Sequence, residues 1–188
     1  MRSAARKERR GGRVRRQRTR GPRRTPRIEI MVASPLWNSE PDAKALVRRA
    51  IAAAAAAVAT SDGELAVVLT DDKAVRALNR DWRQKDAATN VLSFPAGTAP
   101  AGTSHAGRGA PRLLGDIVIA YETTKREARA ASKPFAHHLA HLAVHGFLHL
   151  VGFDHAADEE AEKMESMETA ILAGLDVPDP YVTRVARG

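Results

Sequence analysis

The stretch FAHHLAHLAVHGFLHLV, residues 135–151, is strongly apolar and carries a row of histidines. Pro134 precedes it and Gly152 follows it, and both residue types are typical of helix boundaries. The stretch is longer than a usual strand, so the pattern predicts a helix that ends at Gly152. Because a helix this apolar is expected to be buried, we place it at the centre of the fold.

Strands and helices alternate around this helix. Runs rich in valine, leucine and isoleucine predict strands, and segments that are rich in alanine or start with acidic residues predict helices. We predict strands at residues 27–32, 64–70, 89–94 and 116–120, and helices at residues 43–59, 71–82, 122–133 and 158–172. Residues 95–112, dense in Gly, Pro, Ala and Ser, predict a flexible loop. This order indicates a single α+β domain, a sandwich of a roughly four-stranded sheet with helices, in which the histidine-bearing helix is central.

The composition of the chain limits its chemistry. Among its 188 residues there is no cysteine, so a transition metal must bind to His, Asp or Glu. No apolar run approaches the roughly 20 residues of a membrane span. The N-terminal sequence also lacks the charged-then-apolar pattern of a secretion signal. We therefore expect a cytoplasmic protein with no membrane partner.

The positive charge of the chain is concentrated at its N-terminus. Thirteen Lys or Arg lie within residues 1–27 against one acid, Glu8, which gives this segment a net charge of +12. Since the whole chain carries +8, the remainder carries about −4. We predict a basic tail at residues 1–26, disordered in isolation, and a folded domain at residues 27–188. The tail is suited to RNA phosphates, but a solvated tail without a partner and translation from Met31 stay open as alternatives.

Three histidines have the spacing of a metal site. His145 and His149 are four residues apart, which places them on one face of the predicted helix. Gly152 lets the chain turn back, so that His155 can supply a third nitrogen. Three imidazoles with one open position are typical of a catalytic zinc site, whereas a structural site uses four protein ligands. The spacing predicts one zinc ion on these residues, with ordinary helix histidines as the alternative. We expect His141 to face the core, with a hydrogen-bonding role behind the metal ligands as the alternative.

Such a site can perform hydrolysis. With three neutral imidazoles the ion keeps its double charge and lowers the pKa of a bound water to about 7. Phosphodiester, peptide and amide bonds are all possible substrates. The histidine spacing matches the metzincin peptidases, whose motif has Glu directly after the first His. Gly146 stands there instead, so the general base of peptide cleavage is missing and a zinc peptidase is the less favoured alternative.

Three blocks of sequence resemble the YbeY family, bacterial ribosome-associated endoribonucleases. HGFLHLVGFDH at residues 145–155 is similar to the family signature. NRDWRQKDAATNVLSF at residues 79–94 and GDIVI at residues 115–119 are similar to its two other hallmarks. Together with their flanking elements the blocks span about residues 71–155, and the basic tail lies outside the resemblance.

The resemblance implies a zinc-dependent endonuclease specific for single-stranded RNA. It implies a role in maturing the 3′ end of 16S rRNA in the small subunit and in quality control of late 70S ribosomes. The expected partners of the protein are then single-stranded RNA, rRNA and the small ribosomal subunit, and no binding to DNA is expected. The metal ligands of the family correspond to His145, His149 and His155, which would also be catalytic.

An arginine that is functionally important in the family corresponds to Arg83. Its planar guanidinium can hold a phosphate and offset the charge that develops on phosphorus. A surface salt bridge with Asp81 or Asp86 is the alternative. Lys85 is a further candidate for contact with the RNA backbone.

Two residues depart from the family pattern. Asn90 stands where the family commonly has Asp, and Phe153 where it commonly has Tyr. Because Asn90 can accept a hydrogen bond but cannot take a proton, no general base is assigned. Asp154 and Asp116 are candidates, although we expect both to be structural, with Asp154 orienting a ligating imidazole.

Other functions and roles stay open. Trp82 and Phe94 could stack on a base, but we expect both in the core. A ribosome assembly factor in which zinc only braces the fold is a second class of function.

Overall fold

The computed structural model describes residues 25–60, 63–98, 112–155 and 157–182. Within these residues the chain forms a four-stranded sheet, five α-helices and two short 3-10 helices, Pro35–Ser39 and Ala96–Thr98. The strands are β1 (Arg27–Val32), β2 (Glu64–Thr70), β3 (Val91–Pro95) and β4 (Leu113–Ala120), and the helices are α1 (Ala43–Ala57), α2 (Asp72–Arg83), α3 (Tyr121–Ala130), α4 (Phe135–Leu150) and α5 (Asp158–Ala173). The predicted α+β class is confirmed. Nearly all of the predicted tail, residues 1–26, and most of the predicted loop, residues 95–112, lie outside the described residues.

The sheet has the strand order β1-β2-β4-β3. β1, β2 and β4 are parallel, and β3 runs antiparallel to β4 at the edge. Alternate residues of β2, Leu65, Val67 and Leu69, are buried on one face, as the period of a strand requires. The register places Ser93 of β3 opposite Ile117 of β4, so both side chains share that face.

The main core lies between this face and helices α1 and α4. α4 buries nine of its residues, among them Phe147 and Leu148, which are fully enclosed. Each such side chain contributes about 1.5–3 kcal/mol relative to an exposed position. The central place predicted for the apolar helix is therefore confirmed. In the described part of the chain no helix is both long enough and apolar enough to cross a membrane.

Helix α4 lies unusually close to the sheet at Gly146. A Cβ atom at this position would lie 3.0 Å from Ile117 Cγ2 and 3.2 Å from Ser93 Oγ. The Ser93 hydroxyl donates a hydrogen bond to the Gly146 carbonyl over 3.1 Å. This close approach brings the histidine face of α4 to the edge strand β3.

The opposite face of the sheet is covered only in part. Helix α2 packs there in a small cluster with Val75, Leu92, Val118 and Ala120. Trp82, in the last turn of α2, is 72% exposed, so the expectation that it belongs to the core is wrong. It lies beyond the covered patch and packs edge-on against the half-buried Phe94, with ring centroids 5.9 Å apart.

Candidate metal centre

The turn after α4 brings the third histidine back to the helix. The Gly152 N–H donates to the His149 carbonyl over 3.2 Å, and the Phe153 N–H donates to the Leu148 carbonyl over 3.0 Å. Gly152 has φ of 94°, which a residue with a side chain rarely adopts. This hydrogen-bond pattern is the Schellman motif, and it reverses the chain within three residues. His155 thereby returns to the face of α4 that carries the other two histidines.

The three predicted ligands come together as the spacing indicates. Nε2 of His145 and Nε2 of His149 lie 3.1 Å apart. The His155 ring centroid is 5.7 Å from that of His145 and 5.0 Å from that of His149. One ring nitrogen from each residue lies within 4.8 Å of the others.

The arrangement fits a tetrahedral zinc ion. Zn–N bonds of about 2.0–2.1 Å set neighbouring nitrogens about 3.3 Å apart, close to the distance between His145 and His149. Burial, and then the neighbouring His145 and His155 rings, lower the pKa of His149, which favours the neutral imidazole that a metal requires. The described residues that could hold the ion are therefore these three histidines.

A buried carboxylate lies directly behind His145. Glu168 of α5 is fully buried, and its Oε1 accepts a hydrogen bond from His145 Nδ1 over 2.8 Å. Its Oε2 accepts from His141 Nε2 over 3.0 Å and from the Tyr181 hydroxyl. Burial, the largest influence, raises the pKa of Glu168, but the hydrogen bonds from His141, His145 and Tyr181 outweigh it and lower the pKa to about 2.

This contact corrects the expectation for His141. His141 does not face the apolar core, because its ring reaches Glu168, which in turn holds His145. His141, His145 and Glu168 also place one potential ligand atom each within 4.8 Å of one another. The separations of 2.8 and 3.0 Å are those of direct hydrogen bonds, so the carboxylate is already paired.

Arg83 reaches the histidine cavity from the end of α2. Gln84 adopts the left-handed conformation and ends the helix, and the buried Asn79 side chain donates to the Ala87 carbonyl over 2.8 Å, which holds the following loop. The two carboxylates that could form a surface salt bridge with Arg83 are paired with other arginines. Asp86 accepts two hydrogen bonds from Arg76, and Asp81 accepts one from Arg80.

The cavity at the histidines has a volume of about 600 Å³. Its walls come from the end of α2, strand β3 with the residues before it, α4 and the turn after α4. The lining residues include Arg83, Thr89, Asn90, Ser93, His145, His149, Phe153, Asp154 and His155. The structure thus brings Arg83 and the three histidines, the four site residues predicted from the sequence, to one cavity.

Other candidates are placed differently. Asp154 Oδ1 accepts from the His155 backbone N–H over 2.8 Å, and among the described residues no hydrogen bond joins Asp154 to an imidazole ring. Asp116 lies with Trp82 and Phe94 along a groove on the opposite face of the sheet. Asp116, Trp82 and Phe94 therefore do not line the histidine cavity.

Glu168 and Tyr181 were not selected from the sequence. A signal for Glu168 was present, because it falls at a core position of α5 together with Met164, Ile171 and Leu172. An acid on the apolar face of a helix must be paired, and it therefore marks a polar network. No comparable pattern precedes Tyr181, which lies outside the regular elements.

The chain is similar to known proteins over most of its length. Residues 34–176 match the family described as Endoribonuclease YbeY. The chain is 55% identical over 161 residues to Endoribonuclease YbeY of Bradyrhizobium diazoefficiens, covering 85% of this chain and 87% of that protein. It is 58% identical over 158 residues to Endoribonuclease YbeY of Rhodopseudomonas palustris strain BisA53, covering 83% and 90%.

Among solved structures, the chain is similar to a solution structure from Thermotoga maritima. The TM-score is 0.43 and the sequence identity is 21%, over 82% of this chain and 99% of that one.

Proposed function

Because the chain belongs to the YbeY family of endoribonucleases, we propose that it hydrolyses single-stranded RNA at a zinc centre held by His145, His149 and His155. The observation that carries this proposal is the meeting of three imidazoles and Arg83 in one open cavity. The absence of cysteine leaves nitrogen and oxygen ligands, and the ring nitrogens have the separation that zinc prefers. When bound, the ion supplies a Lewis acid and an acidified water at neutral pH.

The protein groups then have separate roles. The Arg83 guanidinium binds a phosphate of the substrate and offsets the negative charge that develops as the phosphodiester is attacked. It is free of the carboxylates nearest in sequence, which supports this role. His145, His149 and His155 would hold the ion.

A single-stranded substrate is supported by the lining of the cavity. Phe153 lines it beside the three histidines, and an unpaired base can stack on an aromatic ring. Lys163 Nζ lies 6.0 Å from the centre of this ring and adds positive charge beside it. A base within a duplex presents no free face for such stacking.

Membership of an endoribonuclease family supports a proposal about the biological setting. We propose that the substrate is rRNA, with a role in 16S 3′-end maturation and in the quality control of late 70S ribosomes. The location is then the cytoplasm, and the small ribosomal subunit is the partner. The basic tail would add affinity for RNA that weakens with salt.

Packing at Gly146 weighs against the peptidase alternative. The residue that would carry the peptidase glutamate is pressed against Ile117 and Ser93, where even a Cβ atom is crowded. A glutamate at this position would therefore have to displace the side chains of Ile117 and Ser93.

The experiment compares substrates and variants in parallel. Wild type and His149→Ala are incubated with a single-stranded RNA and with casein, and thermal unfolding of both proteins is recorded. His137→Ala is the matched control, because His137 lies on α4 outside the histidine cavity. We expect wild type and the control to cut RNA but not casein, and His149→Ala to be folded and inactive. Casein cleavage without RNA cleavage would favour a peptidase, and loss of folding in His149→Ala would favour a zinc-braced assembly factor.

A further inference from the structure

We propose that Glu168 is a positioning residue that fixes the tautomer and orientation of His145 for metal binding, and that Tyr181 from the C-terminal segment completes this contact. The inference rests on the proposed metal site. It adds a carboxylate and a phenol that never touch the metal themselves. Both act on the site through the ring of one ligand.

The hydrogen bond between Glu168 and His145 determines which ring nitrogen is available. An ionised carboxylate can only accept hydrogen bonds, so at 2.8 Å the hydrogen must be on His145 Nδ1. A neutral imidazole carries one ring hydrogen, which leaves the lone pair on Nε2. Nε2 is the atom that lies 3.1 Å from His149 Nε2 at the predicted metal position. Glu168 therefore presents His145 in its metal-binding form.

The second carboxylate oxygen of Glu168 is also hydrogen-bonded. His141 Nε2 lies 3.0 Å from Oε2, and the Tyr181 hydroxyl donates to the same atom. Three donors thus converge on a carboxylate with no solvent exposure. Leaving such a group unpaired inside apolar surroundings is strongly unfavourable, so the three donors keep the carboxylate in place.

Tyr181 reaches Glu168 because the C-terminal segment is docked on the helices. Val177 is buried in the main core, and Lys133 Nζ donates to the Pro180 carbonyl. The Tyr181 backbone N–H donates to Asp179 Oδ1 over 2.9 Å. The Tyr181 ring packs edge-on against His141, with centroids 5.6 Å apart. These contacts hold the Tyr181 side chain against Glu168 and His141.

The first arm of the test measures zinc affinity by competition with a chromophoric chelator. Carboxylates that orient a ligating histidine typically change metal affinity by about 10- to 100-fold, so we expect Glu168→Gln to weaken zinc binding by that factor. Tyr181→Phe removes one donor and keeps the carboxylate, so a smaller loss is expected. Glu162→Gln, on an exposed position of α5, is the matched control and should bind as wild type does.

The second arm reads the tautomer directly in the metal-free protein. Two-bond ¹H–¹⁵N spectra of the histidine rings distinguish a hydrogen on Nδ1 from one on Nε2. We expect His145 to carry it on Nδ1 in wild type and in Tyr181→Phe, and to become a mixture in Glu168→Gln. In a variant that stays folded, this readout separates positioning from a merely structural role, since a merely structural role would leave the tautomer unchanged.

The outcomes separate this inference from the proposed function. If wild type binds no zinc, the metal centre is wrong, and the tautomer spectrum still decides whether Glu168 positions His145. If wild type binds zinc while Glu168→Gln and Tyr181→Phe bind it equally well, the positioning role is overturned and the zinc centre stands. A wild-type His145 with its hydrogen on Nε2 would also overturn it. Should Glu168→Gln fail to fold, the affinity of Tyr181→Phe decides between these results.

Discussion

Asn90 donates a side-chain hydrogen bond to Glu127, with 2.8 Å between Nδ2 and Oε2. His138 Nε2 lies 2.9 Å from the same oxygen. A carboxylate at position 90 would face Glu127 without a hydrogen to donate. The amide is therefore matched to Glu127, which gives a physical reason for the departure from the family's aspartate at this position.

Exchanging this amide for an acid should destabilise the fold. We expect Asn90→Asp to lower the free energy of unfolding by about 1–3 kcal/mol, because the half-buried Glu127 loses a donor and gains a like charge. Urea unfolding measures the change. Adding Glu127→Gln should restore most of the loss, and purely additive losses in the double variant would contradict the pairing.

Arg83 should matter for cleavage and little for stability. We expect Arg83→Ala to reduce the rate of RNA cleavage by about 10²- to 10³-fold, as loss of a charge-stabilising donor does elsewhere. Because the side chain is exposed, the free energy of unfolding should change by less than about 0.5 kcal/mol. Lys85→Ala, at a neighbouring cation that does not line the cavity, should change the rate only a few-fold. A wild-type cleavage rate in Arg83→Ala would contradict a role of Arg83 in catalysis.

Gly152 should be needed for the turn that delivers His155. A Cβ there meets no atom within 4 Å, so the cost of Gly152→Ala comes from its positive φ alone. We expect a loss of about 1–2 kcal/mol in urea unfolding and weaker zinc binding. Gly97→Ala, also in open space but without a positive φ, should be nearly neutral. Equal effects of the two substitutions would contradict this role of the turn.

Elements with a clear period could be predicted closely from the sequence. The strand at residues 64–70 and the start of the helix at residue 135 agree with the structure, because buried strands and capped apolar helices carry strong local signals. Strand β4 begins at Leu113, three residues earlier than predicted, since its first residues pair with β2 and with the end of β3. Such extensions depend on pairing partners that are distant in sequence.

Some residues of the candidate site are placed by local sequence, and others are placed by contacts between distant segments. His145, His149 and His155 could be predicted because one helix and one turn place them, and local sequence specifies both. Glu168 and Tyr181 reach the site only through the packing of α5 and the C-terminal segment on α4. Contacts of this kind have no spacing rule, so the network behind His145 could not be predicted.

The partly buried His138 should make stability depend on pH. Burial, the largest influence, together with His141 and Lys133, lowers the pKa of His138 below the ordinary 6.5, although Glu127 opposes this. The unfolded chain therefore takes up the proton first, and the free energy of unfolding falls as the pH drops below 6.5. When the pH is lowered from about 7.5 to about 5.5, we expect the free energy of unfolding to fall less in His138→Gln than in wild type, as measured by urea unfolding. An equal loss in both proteins would contradict the pKa shift.

The most direct test of the central claim is RNA cleavage by the same protein sample before and after removal of its metal. Protein treated with chelator and then dialysed should no longer cut single-stranded RNA, and one equivalent of zinc should restore cleavage in wild type but not in His149→Ala. Full cleavage by the metal-depleted protein would contradict a metal-dependent nuclease at His145, His149 and His155.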